Sequence, residues 1–160
     1  MEMACGKRAL DMLSFAYDQN KQVSQAFSAK IQQTGDAARR MNEALAAEKL
    51  RANTLKKQLF TCISKPYAGK TLAVHFEEAL SPGDCRELCD VLAEFAEVAV
   101  TLSGSDESGY AICIVSREQD AKALGDSAVK ALNGRGGGKK EAFQGRVSAA
   151  RSQIERYFAG

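Results

Sequence analysis

The chain has 160 residues, 45% of them hydrophobic and 26% charged, which suits one ordinary domain or a small domain with an appendage. No apolar run approaches the roughly 20 residues needed to span a bilayer, and the start, MEMACGKRAL, lacks the apolar stretch of a signal peptide, so no membrane partner is expected. Five cysteines (Cys5, Cys62, Cys85, Cys89, Cys113) form an odd set without disulfide-framework spacing, which fits a reducing, cytoplasmic setting.

The net charge of +2 hides a division along the chain. Residues 1–70 carry 12 Lys/Arg against 6 Asp/Glu, residues 71–120 carry 2 against 11, and residues 133–160 carry 6 against 2. A polyanion would therefore meet the front and the tail of the chain, and the middle would repel it.

From Gly6 to about Lys65 the sequence reads as helix, without a proline. Leu13, Ala16, Asn20, Val23, Phe27 and Lys30 recur at three- and four-residue spacing. Ala38, Met41, Leu45, Glu48, Ala52, Leu55, Leu59 and Cys62 keep the same rhythm, as in a coiled coil. Thr34-Gly35-Asp36 lies between the two stretches, with Gly35 suited to a left-handed helix end and Asp36 to an N-cap. The expected object is an antiparallel helical hairpin over residues 1–66.

After Pro66 the pattern changes. KTLAVHF (70–76), EVAVTLS (97–103) and YAICIVS (110–116) read as strands. Ser81-Pro82-Gly83-Asp84 announces a helix whose apolar stripe is Cys85, Leu88, Cys89, Leu92, Phe95 and Ala96. Asp120 can cap another, bearing Ala121, Leu124, Ala128 and Leu132, and a last helix is expected to place Val147, Ala150, Ile154 and Phe158 on one face. The fold class expected is α/β (α+β): a helical hairpin followed, over residues 67–160, by a small mixed sheet flanked by helices.

Few residues suggest chemistry. Cys85 and Cys89 share one helix face, but they lie on the stripe that must pack on the sheet, and no second pair has zinc-site spacing. His75 alternates with Leu72 and Val74 and has no nucleophile motif beside it, so it reads as structural. Glu77-Glu78 reads as a solvated edge. No catalytic residue and no metal ligand is expected in this chain. The hairpin cations Arg39, Arg40, Lys49, Arg51, Lys56 and Lys57 fit either the solvated face of a coiled coil or a track for phosphates.

The most unusual segment is NGRGGGKKEAFQG, residues 133–145. It lacks the Gly-Lys-Ser/Thr ending and the strand-to-helix setting of a P-loop. Gly134 is expected to end the preceding helix. Gly136-Gly137-Gly138 could curl into an anion-binding nest beside Lys139 and Lys140, with Arg135 and Arg146 flanking it. The alternative is a tight structural turn with incidental lysines. The residues themselves leave both open.

Asn133 to Gly145, after a helix carrying SAVKALN and before a final helix, resembles the signature of the DHH-associated domain. That domain closes alanyl-tRNA synthetases, free-standing alanyl-tRNA editing proteins and DHH phosphoesterases, and the resemblance covers about residues 70–158. Cys5-Gly6-Lys7-Arg8-Ala9-Leu10 is similar to the junction after the editing domain of long alanyl-tRNA editing proteins. The resemblance implies the C-terminal part of such a protein or of a related synthetase. The zinc site of the editing activity needs histidine pairs and a cysteine, so no cofactor is expected in this chain, where His75 stands alone. Phosphoesterases of the family carry a histidine where Lys139 stands here. The expected function is a non-catalytic module that binds tRNA along its backbone through Arg135, Gly136, Gly137, Gly138, Lys139, Lys140, Gln144 and Arg146. The alternative is a homodimerisation module whose glycine turn only shapes the fold.

Overall fold

A computed structural model describes residues 6–159, so Cys5 of the junction motif lies outside the described residues. Two compact units are formed, one running up to Leu55 and the other from Lys56 onward. The described residues contain no helix long and apolar enough to cross a membrane.

The first unit holds helix α1 (Lys7–Ala26) and the first turns of the long helix α2 (Thr34–Ser64). The corner between them is not at Gly35. It lies at Phe27–Lys30, where Ser28 takes the left-handed conformation (φ 50°), followed by a 3-10 turn at Ile31–Gln33. Ser28 is short and polar enough to tolerate that conformation, and the amides of Ser28 and Ala29 are satisfied by the carbonyls of Gln25 and Ser24. Gly35 is consequently helical, and Asp36 sits in the first turn of α2, paired with Arg39 at 2.9 Å, where its charge favours the helix dipole. Among the described residues of this unit, burial is confined to the corner, at Ser24, Thr34 and Ala37.

The second unit is a five-stranded mixed sheet with helices on both faces, as expected. Strands β1 (Lys70–Glu77), β2 (Ala96–Ser105), β3 (Gly109–Ser116), β4 (Arg135–Lys139) and β5 (Ala142–Val147) lie in the order β1-β2-β3-β5-β4. Only β1 and β2 are parallel, joined by the crossover helix α3 (Pro82–Leu92). The caps stand where the sequence puts them. Ser81 Oγ accepts from the Asp84 amide at 3.1 Å, and Asp120 Oδ1 accepts from Lys122 and Ala123 at the start of α4 (Ala121–Ala131).

One face of the sheet packs on α4 and on α5 (Arg151–Ala159) through Val100, Leu102, Ile112, Ile114, Phe143 and Ile154. The other face packs on α3 through Ala73, Ala99, Cys113 and Val115, with Phe60 from the last turns of α2 joining that cluster. Lys56, four residues before Phe60, reaches Asp84 at 2.8 Å and Glu87 at 2.6 Å on one flank of α3.

The cysteine pair packs as the stripe requires. The Cys89 thiol donates to the carbonyls of Ala99 and Cys113, both at 3.3 Å, and Cys85 lies 3.2 Å from Thr101 Oγ1. Burial pushes the Cys85 thiol up from its ordinary value, and the Cys89 hydrogen bond followed by burial does the same to Cys113.

The Gly-rich segment departs most from expectation. It is neither a turn nor a nest: residues 135–147 form a β-hairpin, and Val147 belongs to β5 rather than to the last helix. Phe143 and Val147 face the core while Gln144 and Arg146 are exposed, a period-two alternation that suits a strand. The helix before it ends at Ala131, and Asn133, not Gly134, takes the left-handed position (φ 51°), with the Gly134 amide returning to Val129 O at 2.7 Å.

The glycines allow close packing around Phe143. A Cβ on Gly136 would come within 2.7 Å of Phe143 Cζ, one on Gly138 within 2.6 Å of Phe143 Cα, and one on Gly125 of α4 would enter the Phe143 ring. Alanine at 125 has the better helix propensity. Even so, Gly125→Ala is expected to destabilise the domain by about 1–3 kcal/mol through overpacking, read from urea unfolding midpoints.

Candidate functional site

Strand β4 ends the sheet, so one of its sides has no neighbouring strand. It is held in place at its turn, where the Lys140 carbonyl accepts from the Ala121 amide at 2.8 Å and the Glu141 carbonyl from the Ser116 amide at 3.3 Å. All five of its residues are exposed.

Residues directly opposite in antiparallel strands share a face. The register pairs Arg135 with Arg146, Gly137 with Gln144, and Lys139 with Ala142. Since Phe143 and Val147 take the face toward α4, these six residues lie on the α3 side of the sheet. Helix α3 packs there against β2 and β3, and Gln144, Arg146, Arg135 and Lys139 remain exposed beyond it. Lys140 is exposed in the turn. The structure therefore brings Arg135, Lys139, Gln144 and Arg146 onto one open surface and leaves Lys140 at its rim. Gly136 and Gly138 face the other way, toward Phe143.

Gly137 differs from its neighbours. A Cβ there would meet nothing within 4 Å, and its φ is not in the left-handed region. The fold does not demand a glycine at this position, and a glycine inside a strand weakens it. Its effect is to leave a flat stretch of backbone in the middle of a cationic surface. Arg146 is partly committed, since one terminal nitrogen donates to the Ser108 carbonyl.

The other candidates resolve differently. His75 is half-buried, with Nε2 3.0 Å from Glu77 Oε1 and Nδ1 3.3 Å from the Tyr67 hydroxyl, so Glu77 is partnered rather than merely solvated. Among the hairpin cations, Lys56 is taken by Asp84 and Glu87, and Arg39 and Arg51 have acidic neighbours on α2. A cleft of about 1050 Å³ at the far end of β1 is lined by Glu77, Glu78, Asp106, Glu107 and Arg151, where the sequence marks only Glu77-Glu78, as a solvated edge.

In that cleft Asp106 Oδ1 accepts from the Arg151 amide at 2.8 Å and from the Tyr110 hydroxyl at 2.9 Å. These two bonds, the Arg151 one first, hold its carboxyl below the ordinary 3.8. A carboxylate lowered on folding stabilises above its unfolded value, and that contribution disappears as pH falls through the folded one. Asp106→Asn is accordingly expected to lower the thermal midpoint near pH 7. The gap from the unsubstituted protein should close on acidification below about pH 4, as followed by circular dichroism.

Residues 69–158 match the DHHA1 domain family. Among solved structures, the C-Ala domain from Aquifex aeolicus alanyl-tRNA synthetase is similar at 22% identity and a TM-score of 0.49, over 57% of this chain and 89% of that one. RecJ from Thermus thermophilus, in complex with Mg2+, is similar at 17% identity and a TM-score of 0.49, over 87% of this chain but only 28% of RecJ. No curated protein matches.

Proposed function

This chain belongs to the DHHA1 domain family, and from that premise we propose that it is a non-catalytic nucleic-acid-binding module that takes tRNA against the open face of β4 and β5. The observation that carries the reading is Gly137. An exposed strand glycine with free space above it, ringed by Arg135, Lys139 and Gln144, suits close approach of a sugar–phosphate backbone. The cations neutralise phosphates, and Gln144 offers both donor and acceptor to a ribose hydroxyl. The nest geometry is replaced by a flat sheet, which suits an extended polyanion better than a single phosphate. That tRNA is the nucleic acid follows from the motif resemblance, as does a parent protein of the alanyl-tRNA editing or synthetase type acting in the cytoplasm.

Four cations on this surface predict that log K for tRNA falls against log salt with a slope of about −3. Lys139→Glu with Lys140→Glu is expected to flatten that slope by at least about 1.4. The Gly137→Val variant separates function from fold. It should leave stability unchanged or raise it by about 0.5–1 kcal/mol, because valine suits an exposed strand, while tRNA affinity falls. Equal affinity of Gly137→Val and the unsubstituted chain in a filter-binding series would remove the reading.

A second reading, self-association through the helices, has its own observation. Leu10, Leu13, Met41, Leu45, Leu55 and Leu59 are each more than half exposed, an amount of apolar surface that monomers rarely leave uncovered. It predicts a concentration-dependent dimer in light scattering that Leu55→Glu disrupts, independently of RNA.

A further inference from the structure

Helix α3 has two flanks beside its buried stripe. Asp84 and Glu87 lie on one and hold Lys56. Arg86 and Asp90 lie on the other, since residues one and five positions after Cys85 are rotated about 100–140° from it. Lys56 of α2 covers the first flank, so the second is turned away from α2. Cys89, one turn after Arg86, donates to the Cys113 carbonyl on β3, and Cys113 is directly paired with Gln144 on β5. Neighbouring strands are about 4.8 Å apart, so α3 lies one strand away from Gln144 and two from Gly137.

Its guanidinium is held from one side only. Nε donates to Asp90 Oδ1 at 3.0 Å and Oδ2 at 2.9 Å, and the side chain is about a third exposed. Among the described residues its two terminal nitrogens make no hydrogen bond. An arginine fixed through Nε with its outer nitrogens unoccupied presents the fork that matches two phosphate oxygens.

We propose that Arg86 is a further phosphate-contacting residue, forming the α3 wall of the β4–β5 surface, with Asp90 positioning its guanidinium. The proposal rests on the nucleic-acid reading above and extends it to a residue outside the Gly-rich segment. The ligand then lies in a shallow channel: Gly137 and Gln144 are its floor, Arg135 and Lys139 its outer rim, and Arg86 its inner wall.

The test uses the whole 160-residue chain and unfractionated tRNA, with affinity measured across a salt series and thermal midpoints taken for every variant. Arg86→Gln is expected to weaken binding about tenfold and to flatten the log–log slope by about 0.7–0.9, the loss of one phosphate contact. Arg86→Lys should restore the slope but not the full affinity, because an ammonium lacks the fork. Unmasking of Asp90 could weaken binding by repulsion alone, so Arg86→Gln is also combined with Asp90→Asn. The double variant should keep the reduced slope. Return of the double variant to the unsubstituted slope and affinity would overturn the proposal, as would an Arg86→Gln protein that binds like its parent while Lys139→Glu/Lys140→Glu binds weakly. If the unsubstituted chain does not bind tRNA, or the lysine variants change nothing, the nucleic-acid reading itself fails and Arg86 falls with it.

Discussion

Phe143 sits where β5, β4 and α4 meet, and its ring occupies space left empty by Gly125 and Gly136. Full burial of a phenylalanine stabilises by about 3 kcal/mol, and here it fixes direction as well as energy. With Phe143 and Val147 turned toward α4, strand alternation sends Gln144 and Arg146 to the opposite face. Antiparallel register then carries Arg135, Gly137 and Lys139 with them. Three of the glycines around the ring are thus explained by packing, and the one that is not, Gly137, lies on the face that packing leaves open.

Much of this was legible in the sequence where a single local rule sufficed. Ser81-Pro82-Gly83-Asp84 and Asp120 supply caps through short side chains and nearby amides, so α3 and α4 begin where the residues say. The β-branched runs of β2 and β3 are buried strands with few alternatives, and β1 carries the same signal although only Ala73 of that edge strand is fully buried. Cys85 and Cys89 were recoverable as core residues because they fall on a continuous apolar stripe.

The hairpin was not legible, for a physical reason. A strand is recognised by its side chains, and RGGGK has almost none to alternate; glycine lowers strand propensity and raises expectation of a turn. AFQGRV does alternate, yet its signal competed with the helical spacing of Val147, Ala150, Ile154 and Phe158, of which Val147 belongs to the strand. The cations of the segment were found by composition, but their grouping on one face needed the register. The role proposed for Arg86 is not readable from sequence, because Arg86 is 51 residues from Gly137 and the role depends on the stacking of α3 on β3. The corner at Ser28 is hidden in the sequence because a non-glycine residue takes the left-handed position while Gly35 is helical.

The arrangement of charge follows from the strand order and gives the sheet a polarity. Strand β1, at one edge, ends in the cleft of Glu77, Glu78, Asp106 and Glu107, whereas β4, at the other edge, carries Arg135 and Lys139. Four inter-strand steps separate Glu77 and Glu78 from Arg135 and Lys139, about 19 Å, against a screening length of about 8 Å at physiological salt. The β2–β3 turn with Asp106 and Glu107, by contrast, reaches Arg146 through the Ser108 carbonyl. Glu77 and Glu78 are therefore screened from Arg135 and Lys139, and the acidic turn beside Arg146 disfavours docking of the same ligand at that end. A chain with a net charge of only +2 can in this way present a directional binding surface. The separation depends on β5 and β4 being added beyond β3, and so on the close approach to α4 that the glycines around Phe143 permit.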